Sequence, residues 1–458
     1  MNNSGVKIEA HLIQNFAPSN LNRDDTGQPK SATFGGFRRA RISSQCTKRN
    51  ARERWRTEGT VSVGDRTKRI QKLIGDKLAE DKAFMEKVPE QVDLRDGVRM
   101  FTDAYYAAYD KKKPENTSVL IFIGPEEVNV GVQAVKDLWA DRTNEIEKKG
   151  KKSSETVEGI ATLLKKAREF DLKKEKTADA GDVVSDEGGG EANDEEVGEE
   201  KGGKNKDKRP KLKAVKEIQD AIENARISAD IALFGRMLAE QAGRNTDGAC
   251  QVSHPISTHK VDMEMDFYTA VDDLNPEEET GAGMMGVVGF NSACYYRYAL
   301  VERDQLARNL ARKTERKNGQ WVQSLTQEDY TEADKVIAAF LEAMVYAIPT
   351  GKQNSFAAQN LPSFGLFVRR QGGVPISLAN AFAKPIRPQK DDDDLVGLSV
   401  EALTKHWDAL KKVYGEQGVK STACFHLQQE GRLNGLKDVE KKNVEEAIKT
   451  VLEVGGQL

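Results

Sequence analysis

Val6 to Ile13 alternates apolar and polar side chains, with Val6, Ile8, Ala10 and Leu12 on one face, the signature of a half-buried strand. The pattern then gives way. From about residue 61 to 230 helical periodicity dominates, at 66–84, 94–111 and 126–149, broken by the short apolar run Val119–Ile123. Alternation returns at Ser257–Asp273, and a second extended run, rich in Tyr and Phe, spans Val287–Val301. These two runs bracket Asn275–Gly283 and predict a long β-hairpin. Phe364–Arg370 reads as a further strand. Strands and helices in this arrangement belong to a mixed α+β chain.

Other segments complete the outline. Gly35-Gly36 marks a turn, and Ser43 or Ser44 is the expected N-cap of a helix running through Arg56 and ending near Gly59. Thr331–Asp334 has the form of a capping box for a helix over 335–348. Helical character is also expected at 213–239, 399–413 and 437–453. Residues 176–208 are rich in Gly, Glu, Asp and Lys with almost no large apolar side chains, and read as a disordered loop. Cys46, Cys250, Cys294 and Cys424 are far apart, which suits a reducing compartment. No signal peptide or bilayer-spanning run is evident, so the expected location is cytoplasmic, with no membrane partner.

The charge is unevenly placed. The chain carries 70 basic and 73 acidic side chains, a net −3. Between Arg23 and Arg56, however, ten basic residues (Arg23, Lys30, Arg38, Arg39, Arg41, Lys48, Arg49, Arg52, Arg54, Arg56) face three acids (Asp24, Asp25, Glu53), a local +7. Such a concentration is the footprint of a polyanion site. Gln45, Lys48, Arg49, Arg52 and Arg56 recur at spacings of three and four and share one helical face. The start of that helix would offer backbone N–H groups to a phosphate. Contacts of this kind position a strand without reading bases. The alternative is a solvated cationic face paired with acids elsewhere.

Several stretches carry a specific resemblance. LNRDD at 21–25, FGGFRRARISSQ at 34–45 with Lys48-Arg49, FGRM at 234–237, THKVDMEMDFYTAVDDL at 258–274, YYRYA at 295–299 and SLANAF at 377–382 resemble the backbone subunit of type I-E CRISPR surveillance complexes, the Cascade family. The likeness spans about 1–57 and 226–385 in the same order, and is loose over 60–225. It implies an α+β fold: a modified RNA-recognition (ferredoxin-like) palm, an inserted helical fingers subdomain and a β-hairpin thumb. The palm would comprise 1–59 and 226–398, with the thumb at 258–290, the fingers at 60–225 and C-terminal helices at 399–458. The usual aromatic motif of RNA-recognition sheets is absent, so stacking on the palm sheet is not expected.

The resemblance further implies a binder rather than an enzyme, with no cofactor and no metal. Its partners would be a CRISPR guide RNA, further copies head to tail, other Cascade subunits, and target DNA through guide pairing. Arg23, Lys30, Ser43, Gln45, Lys48 and Arg52 match positions that hold the guide backbone, and Met237 matches an apolar RNA contact. Arg39, Arg41 and Arg49 join them from the basic segment, and Lys352 from the turn Pro349–Lys352. Phe267, Tyr268, Thr269, Val271 and Met285 match the thumb, where apolar side chains wedge between bases. Phe37 replaces the family's commoner basic residue and carries no assignment.

Other constellations stay open. Phe267 and Tyr268 could simply lie on a core strand. Cys250, His254, His259 and Asp262 match no standard zinc spacing. Asp24 and Asp25 could hold a metal ion for cutting bound target RNA; the alternative is that they shape the loop beside Arg23.

Overall fold

A computed structural model describes residues 5–88, 94–149, 221–238 and 244–453, apart from short breaks at 223, 272, 274–281, 313–314, 318–319, 323–324, 391–392, 429–432 and 434. The acidic stretch 176–208 and residues 213–220 of the predicted helix 213–239 lie outside the described residues, and the described remainder is not one helix: 224–228 form a turn and loop, and the helix Ala229–Phe234 ends at Gly235. The chain forms two compact units: Met1–Val63 with Ser228–Arg236 and Thr246–Leu458, and Gly64–Ile227 with Met237–Asn245.

The first unit is built on an antiparallel sheet. Its strands run in the order Val419–His426, Phe364–Gln371, Val6–Ser19, Ala282–Glu302 and Cys250–Val252. Val6–Ser19 sits at the centre and is buried continuously from Ile8 to Gln14. It is therefore not the half-buried strand its alternation suggests, because helices cover both faces. Ile13, Tyr296, Leu366 and Val368 pack against Val400, Leu403 and Trp407 of the helix Leu395–Tyr414. The helices Arg303–Ala311 and Gln327–Tyr346 pack on the same central strand.

The polar residues of the alternation do not face water. Glu9 is completely buried and meets the Arg370 guanidinium at 2.9 Å, while its second oxygen accepts the Ile376 N–H at 2.7 Å. His11 pairs with the Tyr296 hydroxyl at 2.9 Å. Burial alone would raise the Glu9 pKa, but His11 and Arg370 more than offset it and hold the carboxyl below its usual range.

Three boundaries differ from expectation. The helix predicted from 335 starts at Gln327, and its capping box is Thr326 with Asp329, not Thr331 with Asp334. An unforeseen edge strand, Val419–His426, separates the last two helices; its mixed exposure blurs any alternation. The expected helix 437–453 divides into a short turn, Lys437–Val439, and a helix, Val444–Leu452, capped by Asn443.

The second unit packs the helices Ile70–Glu80, Leu94–Tyr105 and Pro125–Lys149 beside the strand pair Asp65–Thr67 and Ile121–Ile123. Ile70, Ile74, Leu78, Val98, Phe101 and Tyr106 lie in its core. Among the described residues, no helix is long and apolar enough to cross a membrane.

Candidate nucleic-acid interface

The basic segment folds into a loop, a two-stranded hairpin and a helix, fastened together by backbone hydrogen bonds. Within the loop, Asp24 Oδ1 accepts the Thr26 N–H at 2.9 Å, the Thr26 hydroxyl at 2.7 Å and the Gln28 N–H at 3.0 Å. The Thr26 hydroxyl, with these amides, holds the Asp24 pKa below the usual carboxylate range. Asp24 thus shapes the loop, through Thr26 and Gln28 rather than through an ion pair with Arg23. Asn22 Oδ1 accepts the Ser43 N–H at 2.8 Å, and Arg41 N donates to Lys30 O at 2.9 Å. Loop and helix start are therefore held in register.

Ser31–Phe34 and Phe37–Ala40 form the hairpin. Its turn, Gly35-Gly36, has φ of +59° and +83°, conformations suited to glycine. The helix Ser44–Glu58 follows, capped by the Ser43 side chain, which accepts the Cys46 N–H at 3.2 Å, and closed at Gly59. His254 Nδ1 accepts the Ser44 N–H at 3.2 Å and lies 3.2 Å from Arg41 Nη1. Burial, then the Arg41 and Lys30 charges, push the His254 pKa down, favouring the neutral ring that such acceptance requires. Two N–H groups expected to meet a phosphate are thus already taken by protein acceptors.

Side-chain surroundings divide the arginines. Arg39 is fully buried, and its guanidinium donates to the carbonyls of Phe382 (2.7 Å), Ser257 (3.1 Å) and Ala383 (3.3 Å). It is a structural tie, not the RNA contact expected of it. Arg52 also turns inward, with Nε 2.6 Å from the buried Asp230 carboxylate, so its assignment to RNA is corrected on the same ground. Arg54 and Arg56 pair with Glu58 and Glu53. Lys48 is half-buried, with its ammonium 5.3 Å from the centre of the Phe234 ring, while Gln45 is exposed.

Arg23, Arg49 and Lys352 behave differently. All three line one cleft of about 510 Å³, together with Asp24, Asp25, Cys46, Asn50, Thr350 and Gly351. Among the described residues, none of the three cations has a carboxylate within ion-pair distance. The turn Pro349–Lys352, far away in sequence, is fitted closely onto the loop. A Cβ on Gly351 would lie 2.2 Å from Leu21 O, so only glycine lets the turn approach. Gly351→Ala should therefore displace the turn that carries Lys352 and destabilise the first unit by about 1–3 kcal/mol, read as a lower urea midpoint. Lys30 is half-buried at the loop end. Met237 belongs to the second unit and is 89% exposed.

The predicted β-hairpin is present. Glu264–Val271 pairs with the start of Ala282–Glu302, whose later residues pair with the central strand Val6–Ser19, so the hairpin continues one strand of the sheet. The register sets Phe267 opposite Val287 and Thr269 opposite Met285, with a shift before Val271 meets Ala282. Met265, Phe267, Met285 and Val287 share one face and are all exposed. On the other face the Tyr268 ring lies across Gly286, where a Cβ would come within 2.4 Å of it. Core burial is therefore excluded for Phe267. The base of the hairpin is fastened to the loop: Asn20 Nδ2 donates to Gly27 O (3.0 Å) and to Gly289 O (2.9 Å). The Phe290 and Phe356 rings meet at 5.7 Å, joining the hairpin to the segment after Lys352.

Asn20 and Asn22 hold this arrangement and were not singled out from sequence, while His254 was considered only as a metal ligand and Gly351 only as part of a turn. The two asparagines flank Leu21 in a polar loop, a setting in which asparagine commonly bonds backbone. The residues of the suspected zinc cluster have separate partners. His259 Nε2 accepts the Cys294 N–H at 3.2 Å, Asp262 meets Lys260 at 3.1 Å, and Cys250 is buried in a strand. Among the described residues, no three metal-ligating side chains come together.

The chain belongs to the CT1975-like protein family, whose model matches residues 8–452. Solved structures share its fold. A chain of a "CRISPR RNA-guided surveillance complex, pre-nicking" is 24% identical, with a TM-score of 0.65 over 97% of this chain and 99% of that one. A chain of a "CRISPR RNA-guided surveillance complex" is 19% identical, with a TM-score of 0.51 over 97% and 98%. No curated protein matches the chain. The resemblance to CRISPR surveillance subunits drawn from the sequence motifs is borne out.

Proposed function

We propose that this protein is a guide-RNA-binding backbone subunit of a CRISPR surveillance complex. In this reading the first unit is the palm, a modified RNA-recognition fold, the second is the fingers, and the hairpin at 264–290 is the thumb. Copies stack head to tail along the guide, other subunits join them, and the guide pairs with target DNA. The observation that carries the reading is the convergence of Arg23, Arg49 and Lys352 on one cleft, with no ion-pair partner among the described residues, beside an exposed apolar hairpin fastened to the same loop.

The chemistry follows from those groups. Three cations in a cleft neutralise successive phosphates and read no bases, so binding is strongly salt-dependent and blind to sequence. The Met265, Phe267, Met285 and Val287 face offers flat or flexible apolar surface to an unstacked base. Co-purification from cells expressing the assembled complex, followed by probing of 2′-hydroxyl reactivity along the bound guide, tests both parts. The wild type should show reactive nucleotides at regular intervals. Changing Phe267 and Met285 together to serine should keep RNA retention within about threefold, since the phosphate contacts remain, while abolishing that periodicity. Unchanged periodicity would remove the wedge from the account, and a guide-free wild-type protein would remove the function.

A further inference from the structure

A second group of cations lies at the other end of the Ser31–Ala40 hairpin. Arg38, Lys384, Arg387 and Lys390 are all exposed, and among the described residues none of their side chains has a carboxylate within ion-pair distance, although the Asp393 carboxylate accepts the backbone N–H groups of Gln389 at 2.8 Å and Lys390 at 3.1 Å. They come from two segments that the fold welds together. At the tip, Gly35 sits so close to the 382–387 stretch that a Cβ would fall 1.9 Å from Ala383 O. The buried Arg39 clamps the same stretch through the Phe382 and Ala383 carbonyls. The Arg387 guanidinium lies over the Phe37 ring, 5.9 Å from its centre. That contact orients the guanidinium and leaves its N–H edge available to an acceptor. Ile386 N donates to Thr258 O at 3.0 Å, fixing the stretch to the sheet as well. These charges thus stand on braced backbone, which lowers the entropy cost of ordering them around an anion.

The position supplies the ligand. From the Ser31/Ala40 end, which adjoins Lys30, Arg41 and the loop of the cleft, to the Phe34/Phe37 end is roughly 10 Å at the rise of a strand. A strand held by its phosphates at the cleft needs only to follow the hairpin to reach the second group. We propose that Arg38, Lys384, Arg387 and Lys390 form a second phosphate-binding station for the same RNA strand, with Arg387 oriented by Phe37. This rests on the cleft being the first station, and the test separates the two.

The full-length protein would be titrated with a fluorescein-labelled single-stranded RNA of mixed sequence and with single-stranded DNA of the same sequence, at several salt concentrations. Alanine at all four positions should weaken RNA binding about 10- to 100-fold and flatten the logarithmic salt dependence by roughly 2 to 3, as expected when three or four phosphate contacts are lost. All four side chains are exposed, so the thermal unfolding midpoint should stay in place. Arg387→Lys in the wild-type background keeps the charge and should cost less than Arg387→Ala. Unchanged RNA affinity in the quadruple variant, with loss in an Arg23/Arg49/Lys352 variant, would overturn the second station and leave the cleft intact. Loss confined to the DNA arm would overturn the assignment to RNA. Unchanged RNA binding in both variants would overturn the second station and the cleft together.

Discussion

Changing Arg23, Arg49 and Lys352 together to alanine should weaken RNA binding by about 100- to 1,000-fold at low salt. Each is a cation in the cleft that, among the described residues, has no carboxylate within ion-pair distance, although Asp24 and Asp25 line the same cleft. At ~1–1.5 kcal/mol per charge-assisted contact, the three supply about 3–4.5 kcal/mol. The slope of log affinity against log salt should fall by roughly 2, since single strands lose about 0.7 per phosphate contact. Arg54→Ala and Arg56→Ala should change little, because these arginines pair with Glu58 and Glu53 on their own helix. RNAs of different sequence should respond alike. A titration series over variants, salts and two unrelated RNAs measures all of this.

The second large effect is on stability. Glu9→Gln should destabilise the first unit by about 3–5 kcal/mol, because it leaves the buried Arg370 guanidinium facing a neutral amide. Urea denaturation should show a lower midpoint with an unchanged slope. The pH dependence has a definite sign. Glu9 is held below its unfolded pKa, so its contribution is complete above about pH 4.3 and is lost as pH falls through the lower folded value. The wild type should therefore lose stability on acidification in that window, and Glu9→Gln should lose less there. An equal acid response in both would mean that Glu9 is not the group responsible.

The sequence made the hairpins legible through local chemistry. Gly35-Gly36 can do little but turn, Ser43 has the hydroxyl that a helix start requires, and alternation on both sides of Asn275–Gly283 indicated paired strands. Burial was less legible, since it depends on what arrives from elsewhere. Val6–Ile13 alternates like a strand with one wet face, but its polar positions, Glu9 and His11, find Arg370 and Tyr296 inside the protein. Arg39 and Arg52 share the spacing of the basic segment, yet one meets carbonyls from residues 257 and 382–383, and the other meets Asp230. No local pattern distinguishes them from Arg49, because the difference is made by residues hundreds of positions away. The same distance hid Gly351, whose role is the close approach of its turn to Leu21. Lys352 was legible as a candidate only through its glycine turn, and the fold then brought it beside Arg23 and Arg49.

The most direct test of the central claim is ultraviolet cross-linking of the RNA-loaded protein, with the cross-linked peptides identified by mass spectrometry. The account predicts cross-links in the loop carrying Arg23, at Arg49, at the turn carrying Lys352, and on the exposed hairpin at Phe267 and Tyr268. Cross-links confined to remote surfaces such as the helix Leu395–Tyr414, with the cleft peptides unmodified, would contradict it.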